Sequence, residues 1–339
     1  MEGEQSRFPY FFEELSDEDN VNIKEQFLDG SWFNDLVRVV DKESGCHLTT
    51  LNRSFVNHHH LVYNMRIRKD DVWVVTYPKC GTTWTQEMTW NIMNGVRVDK
   101  ISEELFDRSP FIDIPMIENL TLKDAELFFE KLDSMPSPRT IKSHYPFELL
   151  PPTLLDTCKV VYVCRNMKDA CVSYFHHFRL FKSFKFYSTF DVFANMYQKG
   201  SLLQGGYFEM LRSGWKRRDH PNMLFFWYEE MKQDQKFWMM KIMNHIGYQL
   251  SKDKIEELCE ALKFENFRKT SSMNLAAHRH NENQGQFLRK GIVGDWVNYF
   301  NREMSEDWDE YIRNNLDTLE IKDAKTRQYF QLNDDLSSK

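Results

Sequence analysis

The chain has 339 residues, with 44 Lys plus Arg against 51 Asp plus Glu and a formal charge of -7. Hydrophobic residues make up 41% and aromatics 15%, so global disorder is excluded and the core needs no disulfide or metal staple. The acidic balance argues against a broad nucleic-acid-binding face, while leaving room for a local basic pocket that takes a small anion.

The N-terminus, MEGEQSRFPY, is acidic and lacks an apolar h-region, so no secretory signal is expected. No run approaches the roughly 18–20 apolar residues of a spanning helix. Cys46, Cys80, Cys158, Cys164, Cys171 and Cys259 form no CxxC pair and read as reduced thiols. The expectation is a cytoplasmic protein with neither a membrane nor a nucleic acid as partner.

Residues 1–65 are mixed. Residues 16–28 read as an acidic, weakly amphipathic helix followed by Gly30, and residues 57–60 read as polar punctuation. Within it, His58, His59 and His60 are adjacent, so their side chains do not converge as metal ligands one helical turn apart would. Residues 71–78, DVWVVTYP, form a β-branched apolar run that predicts a buried strand. A tight loop and a helix over 85–93 follow. Residues 139–143, 159–164 and 223–228 have the same strand form. Met239, Ile242, Met243 and Ile246 recur at helical spacing before Gly247, and Ser251 is a candidate cap for the next helix. Residues 274–286 read as a polar loop, 303–316 as a final helix, and 335–339 as a fraying tail. Strands spaced by helices predict an α/β fold with a mostly parallel sheet covered on both faces, and one domain fits better than two.

The strand ends carry the chemistry. Lys79 follows the first strand, Lys142 and His144 end the second, Arg165 follows the third and Tyr228 closes the fourth. Ligands of open α/β sheets bind outside those ends. Three cations converging there would suit a phosphate- or sulfate-rich ligand; scattered, they are ordinary surface charges. Gly81 permits a close backbone approach, the amides beyond it open a helix, and Thr82 and Thr83 add hydroxyls. Lysine precedes the glycine, and no GxxxxGK[ST] occurs, so nothing marks a magnesium-dependent triphosphate site. His144 is the acid–base candidate. Cys80 is read as a loop residue rather than a nucleophile.

Five ordered segments resemble one family. Residues 77–84, YPKCGTTW, resemble the signature loop of the cytosolic sulfotransferases, and 142–151, KSHYPFELLP, their catalytic-histidine segment. Residues 161–170, VYVCRNMKDA, with Ser173 and Tyr174 resemble the 3′-phosphate segment. FWYEEM at 226–231, and FLRKG at 287–291 with GDW at 294–296, complete the set. The chain looks similar to the insect-like branch, which includes a retinol dehydratase. The resemblance implies a single domain over 1–339 with core motifs at 71–296, on which the N-terminal segment 1–65 and the helix 303–316 pack. It also implies about five central strands and a P-loop-like loop for a 5′-phosphosulfate.

The implied cofactor is 3′-phosphoadenosine 5′-phosphosulfate (PAPS), its product PAP, with no metal required. The implied reaction is sulfuryl transfer to the hydroxyl of a small organic acceptor such as a phenol, a steroid-like alcohol or a retinoid, as in detoxification. By the same resemblance Lys79 touches the 5′-phosphate and the bridging oxygen. Cys80 (by its amide), Gly81, Thr82 and Thr83 cradle that phosphate, with Trp84 near the adenine. His144 takes the acceptor proton, Lys142 holds the transferring group, and Arg165 and Ser173 bind the 3′-phosphate. Ser173 also restrains Lys79. Tyr228 lies on the adenine side, and Arg289, Lys290 and Gly291 close over the 3′-phosphate. The usual Thr-Ser pair reads Leu262-Lys263 before Phe264, adding a cation near the adenine, and Phe267 replaces a methionine. The usual WFDH segment reads YFEM, ending at Met210. Phe111, Tyr145, His177, Phe178 and Met210 are expected at the acceptor pocket. The family dimer motif keeps only Glu306, with Val297, Asn301 and Arg302 elsewhere, so monomer and homodimer stay open. Three rivals remain: a retinol-dehydratase-like enzyme using the same cofactor, a nucleotide kinase, and a non-catalytic small-molecule carrier.

Overall fold

A computed structural model describes residues 8–28, 35–276, 279–281 and 284–332. Gly30 and the tail 335–339 lie outside them. Seven strands are present among the described residues: β1 (Tyr10–Glu14), β2 (Leu36–Asp41), β3 (His47–Asn52), β4 (Val72–Thr76), β5 (Thr140–Ser143), β6 (Lys159–Cys164) and β7 (Met223–Trp227). Strands β5-β4-β6-β7 form a parallel sheet in that order. It has four strands where about five were expected, and an isolated parallel bridge between Phe111 and Lys142 extends its β5 edge.

Every residue of β4 is buried, as both faces of a parallel sheet demand. Trp73 and Val75 join the core on one face, while Val72 joins Val161, Val163 and Phe226 on the other. The helix Thr82–Met93 packs against β4 and β5, and the helix Gln235–His245 packs on it. After β4 the chain lays β5 on one side and then crosses to lay β6 on the other, so a crevice opens at the carboxyl end of β4. The register aligns the ends: Val75 faces Ser143 and Tyr162, Thr76 faces Val163, and Cys164 faces Trp227. The residues just beyond these positions therefore emerge at one edge.

The opposite edge is clamped by one ion pair. Arg139, at the start of β5, donates to both oxygens of Asp71, at the start of β4, at 2.8 and 2.6 Å, and also to the Leu132 and Arg66 carbonyls. Both side chains are fully buried.

The first 65 residues depart from the reading of the sequence. Strands β1, β2 and β3 make an antiparallel ribbon. Residues 57–60 are not punctuation but lie inside the helix Phe55–Tyr63, where Phe55, His58 and Val62 turn inward. The helix expected over 16–28 runs only Asp17–Lys24, with Ser16 as its cap, accepting from the Asp19 amide at 3.1 Å. Residues 274–286 carry the end of a short helix, Ser272–Leu275, and a bridge from His280 to Phe181. The helix expected over 303–316 runs Arg302–Thr318 and is not the last, since a short helix, Ala324–Arg327, follows it.

Replacing Arg139 by Met leaves the Asp71 carboxylate buried without its ion-pair partner, a loss of about 3–5 kcal/mol. Urea unfolding of the Arg139→Met variant measures it, and a change below about 1 kcal/mol contradicts the clamp.

Candidate active site

The loop leaving β4 turns back through two left-handed residues, Lys79 at φ 67 and Gly81 at φ 95. Gly81 has to be glycine for a second reason: a Cβ there would stand 2.7 Å from Cδ2 of Tyr228. Gly81 is the N-cap of the helix Thr82–Met93, so the first amides of that helix open toward the crevice. Thr82 Oγ1 hydrogen-bonds Thr76 Oγ1 at 2.5 Å. The Cys80 thiol is buried against the Pro78 carbonyl, and burial pushes its pKa up, so it has no nucleophilic character.

Two elements bring His144 to the same edge. Its Nδ1 lies 2.8 Å from the Thr76 carbonyl. A carbonyl only accepts, so Nδ1 carries the proton and Nε2 keeps its lone pair. Burial, then the charges of Lys142 and Lys79, hold the imidazole pKa well below its usual 6.5, so it rests neutral. Its backbone is fixed by Asp113, which no sequence signal had marked. The Asp113 carboxylate accepts from Ser143 Oγ at 2.9 Å, the His144 amide at 3.0 Å and Gln204 Nε2 at 2.7 Å. Lys142 Nζ lies 3.7 Å from the centroid of Phe111, whose ring meets His144 edge-on at 5.0 Å. Burial drives the Lys142 pKa down and the Asp113 pKa up, and the charge of each opposes the other's shift.

Beyond β6, Arg165 donates to the Lys79 carbonyl at 3.0 Å and the Ile292 carbonyl at 3.2 Å, and lies over the Tyr228 ring at 4.5 Å. Its Nε is buried without a partner. The helix Met167–Leu180 carries Ser173 and His177 into the cavity, and its Asp169 receives the Gly294 and Trp296 amides at 2.7 and 3.0 Å. This draws the segment 287–292 over the crevice, where Arg289 and Lys290 both pair with Asp295, at 2.6 and 2.7 Å. Gly291 lets that segment pass Phe264 closely: a Cβ would fall 2.2 Å from its Cδ2.

These groups line one cavity of about 650 Å³. Lys79, Gly81, Thr82, Thr83, Lys142, His144, Arg165, Ser173, Arg289, Lys290 and Gly291 all face it, as do the rings of Trp84, Tyr228, Phe264 and Phe267. The Trp84 ring is fixed by a hydrogen bond from Nε1 to the Leu262 carbonyl at 3.0 Å. Burial comes first, then repulsion from Lys142, Arg165 and Arg289; together they pull the Lys79 amine from its ordinary 10.5 to about 7. Such a cluster is relieved by a bound anion.

Four expected residues sit elsewhere, and a fifth, Cys80, expected only by its amide, turns its side chain inward. Lys263 is exposed and paired with Glu260, outside the cavity. The Cys80 side chain faces the core. Tyr145 points away from the cavity and packs on Phe55 at 5.0 Å. Phe178 follows His177 by about a quarter turn and joins Phe27, Phe184, Phe186 and Phe193 in the core. Met210 is core too, its carbonyl accepting from Tyr162 at 2.6 Å. Phe111 and His177 do line the cavity, joined by Phe106, Ile114, Leu120, Phe181, Phe184, Leu203 and Phe287, which sequence patterns could not separate from core positions. Among the described residues no group of His, Cys, Asp or Glu is arranged to hold a metal.

The model of the sulfotransferase domain matches residues 69–320. Bovine sulfotransferase 1E1 is 31% identical over 262 residues, 76% of this chain and 87% of the relative. Rabbit amine sulfotransferase is 32% identical over 284 residues, 81% and 88%. Among solved structures, retinol dehydratase in complex with androsterone and the inactive cofactor PAP superposes with a TM-score of 0.78 at 31% identity, covering 91% of this chain and 96% of that one. The same enzyme with retinol and PAP gives the same score.

A phosphate beside Lys79 would raise its amine again, and binding of PAP would then take up a proton wherever the free amine is neutral. Affinity should fall as pH rises above about 7, by up to about tenfold per unit. Calorimetry at pH 6.5, 7.5 and 8.5 tests this; a flat profile contradicts it, and Lys79→Met should flatten it.

Proposed function

The chain belongs to the sulfotransferase domain family and is a PAPS-dependent sulfotransferase, and on that premise we propose that it modifies the hydroxyl of a flat, largely apolar small molecule. The observation that carries the proposal is a single cavity lined by cations, by the opening of the helix Thr82–Met93, by aromatic side chains and by His144, whose Nε2 keeps its lone pair.

The residues present fit the cofactor. Lys79 with the amides of Thr82 and Thr83 would hold a 5′-phosphate, and Arg165, whose buried Nε lacks a partner, would hold the 3′-phosphate with Ser173, Arg289 and Lys290. Trp84, Tyr228, Phe264 and Phe267 offer aromatic faces to a base. When bound, PAPS supplies the sulfuryl group and an anionic phosphate leaving group. Lys79 and Lys142 neutralise the negative charge gathered there. His144 Nε2 accepts the proton of the acceptor hydroxyl, with its ring oriented by the Thr76 carbonyl.

Androsterone and retinol are the ligands named for the retinol dehydratase structures, and an alcohol of that size and polarity suits the rings of Phe106, Phe111, Phe181, Phe184 and Phe287. The same likeness favours a second reading, in which a sulfated polyene alcohol eliminates sulfate and leaves as an anhydro product. We read residues 1–339 as one domain, supported by a core that runs from Leu15 to Leu332. We place the protein in the cytoplasm, a reading supported by its six free cysteines. No helix among the described residues is long and apolar enough to cross a membrane.

Incubation with PAPS and a panel of phenols, steroid alcohols and retinol, followed by mass spectrometry, decides between these readings. A sulfated acceptor with PAP supports transfer, anhydroretinol supports the dehydratase, and PAP binding without any turnover returns the carrier reading. The His144→Ala variant should lose about 10²- to 10⁴-fold in kcat with PAP affinity nearly unchanged. The Arg165→Ala variant should weaken PAP binding first. Near-normal turnover by His144→Ala removes the assigned base.

A further inference from the structure

His177 stands one helical turn beyond Ser173, so both side chains project into the cavity from one face of the helix Met167–Leu180. Lys79 Nζ lies 3.4 Å from His177 Nδ1 and 3.9 Å from the centroid of the Phe287 ring. The Lys79 amine has N–H groups to donate in either charge state, and with Nδ1 accepting the ring proton sits on Nε2. The imidazole is wedged edge-on between Phe181 at 4.9 Å, Phe184 at 5.4 Å and Phe287 at 5.5 Å, which fixes where its lone pair points. Burial and the nearby charges of Lys79 and Lys142 keep it neutral and able to accept. Among the described residues the Lys79 amine makes no hydrogen bond to Ser173.

We propose that His177 and Phe287 form a resting site for the Lys79 amine, from which a nucleotide phosphate has to draw it. The idea rests on reading Lys79 as the contact to the 5′-phosphate. His177 is then a positioning residue that acts through the lysine. A partner that holds the free form and is given up on binding weakens the ligand by the strength of that contact. Removing the acceptor nitrogen while keeping a ring in place therefore strengthens nucleotide binding, whereas a residue that merely shapes the pocket leaves it unchanged or weakens it. Phe287 belongs to the segment that carries Arg289 and Lys290, so the resting amine also bridges the β4 loop to the segment that closes the crevice.

Titration calorimetry with PAP tests this on the full chain. His177→Phe should bind PAP about three- to tenfold more tightly than the wild type. His177→Asn, whose Oδ1 can stand near the position of Nδ1, should stay within about twofold of it. In a Lys79→Met background His177→Phe should have no effect on PAP affinity, because the pair is already broken. His177→Leu carries the same expectation as the Phe variant and replaces it if that protein does not fold. Unchanged or weaker binding by the Phe or Leu variant overturns the proposal, as does an Asn variant that behaves like Phe. A wild type that fails to bind PAP, or a Lys79→Met variant that binds it equally well, instead overturns the reading of the site on which the proposal rests.

Discussion

Lys79, Lys142, Arg165 and Arg289 face one buried cavity, and their repulsion must be overcome by the rest of the fold before any ligand arrives. The parallel register does most of this, because it delivers the residues after Thr76, Ser143, Cys164 and Trp227 to one edge whatever their charge. Three buried carboxylates help from behind. Asp113 ties the ends of two segments, Asp169 holds the closing segment by its amides, and Asp295 faces Arg289 and Lys290. Each spends its hydrogen-bonding capacity on protein donors, and the cavity remains electropositive. The Asp295 pairs draw its carboxyl down to about 2, so it stays ionised across the whole working range of pH.

Two walls of the cavity are also tied to each other. Gln86, on the helix that opens at Gly81, donates to the Ser109 carbonyl at 2.8 Å and to Ser109 Oγ at 2.9 Å. One residue further along, Glu87 takes both terminal nitrogens of Arg108, at 2.9 and 2.7 Å. Ser109 precedes the segment that carries Phe111 and Asp113, so the helix whose first amides open toward the crevice also braces the wall that holds Phe111. Phe111 completes the link, with its ring against both Lys142 and His144.

Much of the central sheet was legible because fully buried parallel strands leave unbroken β-branched runs, and the loop motifs sit at their ends. Residues 71–78, 159–164 and 223–228 became strands within a residue or two of the expected bounds. The N-terminal ribbon was not legible. In β2 the register shifts between Val39 and Val40, which destroys the alternation that marks a half-buried strand. In β3 the inward positions include Thr49 and Thr50, buried because their hydroxyls reach the carbonyls of Gly205 and Gly200. His58 misled in the same way, since an imidazole inside a helix face reads as polar. At the site, the cations and His144 carried their own signal. Asp113 and Gln204 did not, because they are 91 residues apart and meet only once the chain has folded. Tyr145, Phe178 and Met210 failed for the converse reason: among so many aromatic and apolar residues, direction within an element decides between core and pocket, and composition does not.

The ribbon itself reaches further than its position in the sequence implies. Thr50 accepts the Gln204 amide at 2.7 Å on its carbonyl, Gln204 sits in the left-handed region at φ 54, and its side chain holds Asp113, which holds His144. Residues 69–320, the span matched by the sulfotransferase domain model, contain every residue that lines the cavity, yet not the strand that fixes Gln204. A fragment cut to that span would keep the chemistry and lose the scaffold that aims it. The domain model thus spans the residues that line the cavity, while the mechanical unit that holds them in register begins earlier in the chain.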